Sequence, residues 1–362
     1  MRLPLSDQNL RRVCDKVAED KRLDADDGLI LLNSNDLIGV GCLADAVRRK
    51  RYGNRAFFIY NQHLNYTNVC QNRCRFCAFA RDEGEKGSYT MTIEEVRKTL
   101  LDRIDEPIHE LHIVGGINPE LPFQYYLDLL NTIGEVRPEA VIKAFTAVEM
   151  DHLATVAKLD VRTVLTELKG AGLAMMPGGG AEVLSRRIHD RLYRRKINGS
   201  RWLKIQKIAH ECGLKTNATL LYGHIETPEE RVAHLLQLRS LQDQTGGFNA
   251  FIPLAFHSAH TQLATLPETV AFDDLKTIAT ARLLLDNIDH IKAYWVMIGE
   301  SLAQVALSFG ADDLDGTIIE EKITHTAGAT SAKGLSRQKM IGMITAAGFE
   351  PVERDSFYQP VK

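Results

Sequence analysis

The chain has 362 residues, 44% of them hydrophobic, with 44 Lys and Arg against 47 Asp and Glu. The length suits one large α/β barrel or two ordinary domains, and the formal charge of −3 speaks against a nucleic-acid partner, whose binding proteins carry a basic excess. No apolar run reaches the roughly 18 residues of a membrane span, and the N-terminal stretch has no uninterrupted apolar core of the signal-peptide kind. A soluble, cytoplasmic protein with no membrane partner is expected. In that reducing compartment clustered cysteines point to metal rather than to disulfides.

In chain order, residues 1–50 read as a helical extension packed outside the main fold. From residue 51 a short apolar run is followed again and again by a helical pattern. "HLNYTNV" runs up to Cys70, and "TIEEVRKTLLDRI" follows, with Thr92 and Glu95 spaced as a capping box. "ELHIVGG" precedes "FQYYLDLLNTIGEV", and "VIKAFTAVE" precedes "DHLATVAKL". "GLAMMPGGG" leads through a basic segment to "RWLKIQKIAHE", which Gly213 can end. "TNATLLYG" leads to "TPEERVAHLLQLRSL", where Thr227, Pro228 and Glu230 make a capped start. "AFIPLAF", "HIKAYWVM" and "ADDLDGTI" supply the remaining strands.

About eight strand–helix units in succession imply parallel strands joined by right-handed crossovers. The expected fold is a (β/α)8 barrel over residues 51–333, with an open doubly wound sheet as the alternative. Residues 334–362 read as a C-terminal helix and strand that close one end. Barrel active sites lie at the C-terminal ends of strands. The residues expected there are Cys70, Gly115, Gly116, Glu149, the glycines 178–180 with Glu182, His224, His257, Trp295 and Met297.

Three of the six cysteines, Cys70, Cys74 and Cys77, fall in "NVCQNRCRFCAFAR" with C-x3-C-x2-C spacing. Structural zinc needs four ligands, usually two pairs, and no second pair exists. His63 is the one nearby residue that would complete a zinc knuckle. A two-cluster ferredoxin motif needs a fourth cysteine followed by proline, whereas Ala78 follows Cys77. Three thiolates on a four-iron cluster leave one iron open to a small molecule. Cys14, Cys42 and Cys212 are scattered and read as small packing residues.

The cysteine spacing, with aromatic Phe76 before the third thiol, resembles the signature of the radical S-adenosylmethionine (SAM) superfamily. "NYTNVCQNRCRFCAFAR", "PGGGAEV", "TNATLLYGHIETPEER", "FIPLAFH", "DNIDHIKAYWVM" and "GADDLDGTI" together resemble the aminofutalosine synthases of the futalosine route to menaquinone. The resemblance implies a [4Fe-4S] cluster on Cys70, Cys74 and Cys77, with SAM consumed as co-substrate. It implies addition of a 5′-deoxyadenosyl radical to the enolpyruvyl group of 3-[(1-carboxyvinyl)oxy]benzoate, then rearrangement and loss of bicarbonate to give 6-amino-6-deoxyfutalosine.

Roles follow from the same resemblance. Phe76 would touch the adenine, Gly115 and Gly116 would receive the SAM amino group, and Glu149 and Glu182 would help hold the cofactor. His224 and His257 are candidates for proton exchange, since imidazole titrates near neutrality. Asn217, Thr219 and Trp295 are candidates for substrate contact. The basic run Arg186, Arg187, Arg191, Arg194, Arg195 and Lys196 reads as a solvated face, as a dicarboxylate site, or as a dock for a flavodoxin- or ferredoxin-type electron donor. The rival within the class is a dehypoxanthine futalosine cyclase-like enzyme that releases 5′-deoxyadenosine. The rival outside it is a non-catalytic iron–sulfur electron carrier.

Overall fold

The computed structural model describes residues 5–361; residues 1–4 and 362, at the tips of the two expected extensions, lie outside the described residues. The strands are β1 (Arg55–Ile59), β2 (Asn61–Leu64), β3 (Glu110–Ile113), β4 (Val141–Ala144), β5 (Met175–Met176), β6 (Lys215–Tyr222), β7 (Phe248–Ala255), β8 (His290–Ile291), β9 (Asp313–Gly316) and β10 (Glu350–Glu353). Strands β2 to β8 form one parallel sheet in sequence order. This curved sheet of seven strands meets itself across β9. Parallel bridges join Lys292 to Asp313 on one side and Gln62 to Ile319 on the other. The barrel is thus closed by bridges rather than by an eighth full ladder.

Two features depart from the sequence reading. Strand β1, just ahead of β2, belongs to a separate sheet in the order β10-β1-β9, so the C-terminal strand completes a sheet with the entry to the barrel. The second departure concerns "HLNYTNV". Strand β2 ends at Leu64, six residues before Cys70. The intervening backbone turns irregular because side chains take its partners. The Thr67 hydroxyl accepts from the Val69 N–H at 3.2 Å, and the Asn68 amide donates to the Gly87 carbonyl at 2.9 Å.

Helix starts are set by local chemistry. Thr92 with Glu95 and Thr227 with Glu230 form reciprocal capping boxes on helices Ile93–Leu101 and Pro228–Thr245, where the sequence places them. The N-terminal helices Leu10–Ala18, Ala25–Asn33 and Leu37–Tyr52 pack outside the barrel, the last two against helix Ala271–Leu284. Gly28 gives the close approach: a Cβ there would stand 2.9 Å from Leu284 and 3.0 Å from Val232.

The barrel interior is not the apolar layer expected from the strand bodies. Lys143 pairs with Glu110 at 2.5 Å, Lys292 with Asp315 at 3.0 Å and Arg354 with Asp313 at 2.6 Å, all six side chains less than a tenth exposed. Glu110 also accepts from Ser356 at 2.8 Å, which ties the C-terminal segment to the barrel floor. Among the described residues no helix is long and apolar enough to cross a membrane.

His234, on helix Pro228–Thr245, shows how a buried imidazole fixes the layer behind β6. Its Nδ1 accepts from the Leu184 N–H at 3.0 Å and its Nε2 donates to the Thr219 carbonyl at 2.9 Å. Burial holds its pKa down to about 4, and burial does the same to His210. The unfolded chain takes up these protons near pH 6.5, the folded chain only near 4. The stabilisation is therefore whole above pH 6.5 and is lost as pH falls toward 4, on the order of 2–3 kcal/mol per histidine. We predict a steep fall in unfolding temperature between those values, shallower in His234→Gln; an identical acid limb in the variant contradicts this.

Candidate active site

The cysteine loop follows β2 and sits over the C-terminal ends of the strands. A cavity of about 330 Å³ opens beneath it, lined by Cys70, Cys77, Gly115 and Gly116 at one end. A wider open groove of about 840 Å³ lies between the N-terminal helices and Arg282; it holds none of the chemistry-bearing residues of the strand ends, so size does not mark the site. Cys74 is buried beside the cavity, its carbonyl accepting from the Cys77 N–H at 3.0 Å. Burial pushes the Cys74 thiol up to about 12 and also raises Cys77, whose sulfur receives the Ala80 and Phe79 N–H groups. Thiols so desolvated become ligands when a metal takes the place of their protons.

The donor set fits an iron–sulfur cluster. It consists of three thiols close together in sequence, with no fourth cysteine beside them. Among the described residues no three His, Cys, Asp or Glu side chains converge closely enough for a single metal ion. Cys70 and Cys77 instead border the cavity, with Cys74 buried beside them, a spread that suits a larger inorganic core.

Glu149 is the residue around which the rim is built. The sequence reading puts it at a strand end; it stands in the first turn of helix Ala147–Ala157, in a capping box with Thr146. Its Oε1 accepts from the Gly115 N–H at 3.0 Å and from the Tyr66 hydroxyl at 2.8 Å, and its Oε2 from the Thr146 N–H at 2.7 Å. One carboxylate therefore joins the segments that follow β2, β3 and β4. Burial raises its pKa while these donors oppose the rise.

The glycine turn after β3 is required by packing as well as by any ligand. A Cβ on Gly116 would lie 2.1 Å from the Val69 carbonyl oxygen, and one on Gly115 would lie 2.6 Å from the Tyr66 ring. The glycines thus let the turn press against the chain that carries Cys70. Glu182 closes the opposite wall with φ of +50°, a left-handed backbone uncommon for its type. Its carboxylate pairs with Lys196. Lys196 lies over the Phe76 ring, 5.3 Å from its centroid.

The remaining candidates divide. Phe76, Glu149, Glu182, Thr219 and His257 all line the cavity. The Thr219 hydroxyl donates to the Gly178 carbonyl at 2.9 Å, and His257 Nε2 donates to the Met297 carbonyl at 2.9 Å. Asn217, Trp295 and His224 are not among the lining residues. Asn217 is buried one layer deeper on β6, with its Oδ1 unpartnered. Trp295 opens helix Trp295–Ile298 and donates to the Gly316 carbonyl at 2.9 Å. The His224 side chain is buried against Glu226 at 2.8 Å, whose carboxylate also accepts from the Gly223 and His224 N–H groups. The basic run divides too. Arg187 pairs with Glu230, Lys196 enters the cavity, and Arg186, Arg191, Arg194 and Arg195 are exposed. Arg195 also donates to the Gln71 carbonyl at 3.2 Å, which sets this segment against the cysteine loop.

His63, weighed in the sequence only as a zinc ligand, lines the cavity, as do His112, Lys143, Tyr294, Asp315 and Glu321, which sequence reasoning missed. A signal was present for His112 and Lys143: each is a polar residue flanked on both sides by apolar ones within an expected strand.

Two outcomes test the rim. Cys70→Ala, Cys74→Ala and Cys77→Ala should each lose bound iron and SAM cleavage with circular dichroism unchanged, while Cys14→Ala, Cys42→Ala and Cys212→Ala keep both. Full iron and cleavage in any of the first three counts against the assignment. Gly116→Ala should lower stability by about 1–3 kcal/mol or more, through overpacking against backbone. Gly134→Ala, in a helix with nothing within 4 Å, should gain about 0.5–1 kcal/mol. Equal unfolding temperatures for the two variants would contradict the packing argument.

Comparison with known proteins agrees with this geometry. Residues 64–238 match the radical SAM superfamily model, and residues 245–362 match the CofH/MqnC C-terminal region. The chain is 44% identical over 362 residues to the aminodeoxyfutalosine synthase of Thermus thermophilus, covering 99% of this chain and 97% of that one. It is 43% identical over 370 residues to that of Streptomyces coelicolor, covering 98% and 94%. The crystal structure of methylornithine synthase superposes with a TM-score of 0.75 at 18% identity, over 94% of this chain and 97% of that one, and shows the shared fold. Radical SAM enzymes use a [4Fe-4S] cluster with SAM, and the three-thiol rim suits both. The chain belongs to the aminodeoxyfutalosine synthase family of radical SAM enzymes.

Proposed function

We propose that the protein makes 6-amino-6-deoxyfutalosine for menaquinone biosynthesis from SAM and 3-[(1-carboxyvinyl)oxy]benzoate, with release of methionine and bicarbonate. The end-to-end match to aminodeoxyfutalosine synthases carries this reading. When bound, the cluster and SAM supply an electron and a 5′-deoxyadenosyl radical. The chain's own residues hold, orient and shield. In this reading Cys70, Cys74 and Cys77 hold the cluster. The turn at Gly115 and Gly116 offers backbone to the methionine part of SAM, and Phe76 offers a ring face to its adenine. Glu149 acts chiefly by keeping that turn in place. Glu182, held by Lys196, faces the cofactor from the other wall.

His257 is the stronger proton-exchange candidate of the two histidines. Its Nε2–H is committed to the Met297 carbonyl, so its Nδ1 is the free lone pair of a cavity-lining ring. Thr219 and the apolar residues Ile252 and Leu254 line the space left for the aromatic substrate. The exposed Arg75, Arg191, Arg194 and Arg195 surround the cysteine loop. They suit an acidic flavodoxin- or ferredoxin-type donor that must approach the cluster. The same reading places the protein in the cytoplasm and divides it into an extension (1–50), a barrel (51–333) and a C-terminal extension (334–362).

The fate of the adenosyl carbon tests the proposal. With SAM labelled at C5′, the label should enter a product that also carries the benzoate ring. Methionine should form in equal amount, with little free 5′-deoxyadenosine. Labelled 5′-deoxyadenosine in near-equimolar yield would overturn addition and favour the cyclase-like reading. An electron carrier would yield no methionine.

A further inference from the structure

A lateral row of nitrogen-bearing side chains crosses the cavity floor. His63 on β2 stands in register with His112 on β3, which stands in register with Lys143 on β4. The three share one layer of the barrel and all line the cavity. The two imidazoles stack, with centroids 4.5 Å apart and planes 16° from parallel. His63 is only 8% exposed, yet among the described residues neither ring makes a side-chain hydrogen bond to the protein. His112 is half-buried, and both rings line the cavity with their nitrogens unpaired by protein side chains, so together they offer a ligand two hydrogen-bonding edges.

The charges around the row show what that ligand must be. Glu110 is engaged by Lys143 and Ser356. Asp315 is engaged by Lys292, and Glu321 by the Thr324 N–H and His325. The nearby carboxylates are thus already matched. What remains open is donor capacity: an N–H on each imidazole and two of the three protons on Lys143 Nζ. Burial lowers the pKa of both histidines, and an anion placed beside them would oppose that shift. Such a site accepts a carboxylate.

We propose that His63, His112 and Lys143 receive the ring carboxylate of an aryl dicarboxylate substrate. This rests on the function proposed above, because the choice of carboxylate follows from where the alkene must react. The alkene has to lie near the adenosyl C5′, at the end lined by Cys70 and the glycine turn. The ring carboxylate then points away from that end, toward the floor. Ile252 and Leu254 give the ring between them an apolar wall. Specificity for a benzoate bearing this second acid group follows, because a substrate lacking it leaves the row unpartnered.

The test measures binding rather than turnover. The ligands are 3-(carboxymethoxy)benzoate, which lacks the alkene, and phenoxyacetate, which also lacks the ring carboxylate. Titration calorimetry on the reconstituted holoenzyme should show the dicarboxylate binding at least tenfold more tightly. His63→Phe and His112→Phe keep a stacked ring without its donors. Each should weaken the dicarboxylate about tenfold and leave phenoxyacetate within about twofold. His63→Gln and His112→Gln keep a donor and should recover most of the loss, which also decides the matter if a phenylalanine variant fails to fold. Equal affinities of the wild-type protein for the two ligands, or unchanged dicarboxylate binding in all four variants, overturns the row. If the row binds as described but no adenosylated product forms, the proposed function fails and the row stands. If product forms while the variants bind normally, the row fails and the function stands.

Discussion

Charge cannot be left alone inside a barrel, and the pairing of Lys143 with Glu110 at 2.5 Å is the point from which the interior is organised. Burying two ions removes their hydration, and their attraction offsets this only when the remaining lone pairs and protons also find partners. Ser356 supplies one such partner from the C-terminal segment. Arg354, two residues earlier, pairs with Asp313 on β9. The C-terminal extension is thus part of the barrel's electrostatics and not an appendage. Removing one member of such a pair strands the other, a loss of about 3–5 kcal/mol. In register with Lys143, strands β2 and β3 present His63 and His112 to the cavity. A fully apolar core would be easier to fill but would offer a charged substrate nothing.

The mouth is held by a different device. Glu149 spends three hydrogen bonds on the ends of neighbouring segments, and glycine at 116 lets one of them press on the cysteine loop. The loop itself is irregular, so its three thiols are placed by what packs beneath them. Rigid strands below and a fitted loop above is the arrangement by which barrels separate stability from chemistry. Floor and rim are joined by strands β2, β3 and β4.

Much of this was legible because it is local. The three cysteines announce themselves by spacing within eight residues. The capping boxes at Thr92 and Thr227 are four-residue patterns, and both form as read. Thr146 and Glu149 carry the same pattern, and reading Glu149 only as a strand-end carboxylate overlooked it. What stayed hidden depends on register. His63, His112 and Lys143 lie 80 residues apart from first to last, and only the ladder brings them into one row. His224 sits at the end of β6 as expected, but Glu226, two residues on, captures it. Trp295 failed as a lining residue because β8 ends at Ile291, leaving the indole to pack beneath Gly316. The pairing of β1 with β10 joins the barrel entry to the chain's far end, and short apolar strands carry no mark of such a partner.

The central claim is that Cys70, Cys74 and Cys77 hold a cluster whose remaining iron is open to SAM at the mouth of this cavity. Electron–nuclear double resonance on the reduced, reconstituted protein addresses it directly, using SAM with nitrogen-15 in the methionine amino group. The account predicts a nitrogen-15 coupling to the cluster that appears on adding SAM and persists in Cys212→Ala. A fully formed cluster that shows no such coupling, or whose formation requires Cys212, would contradict it.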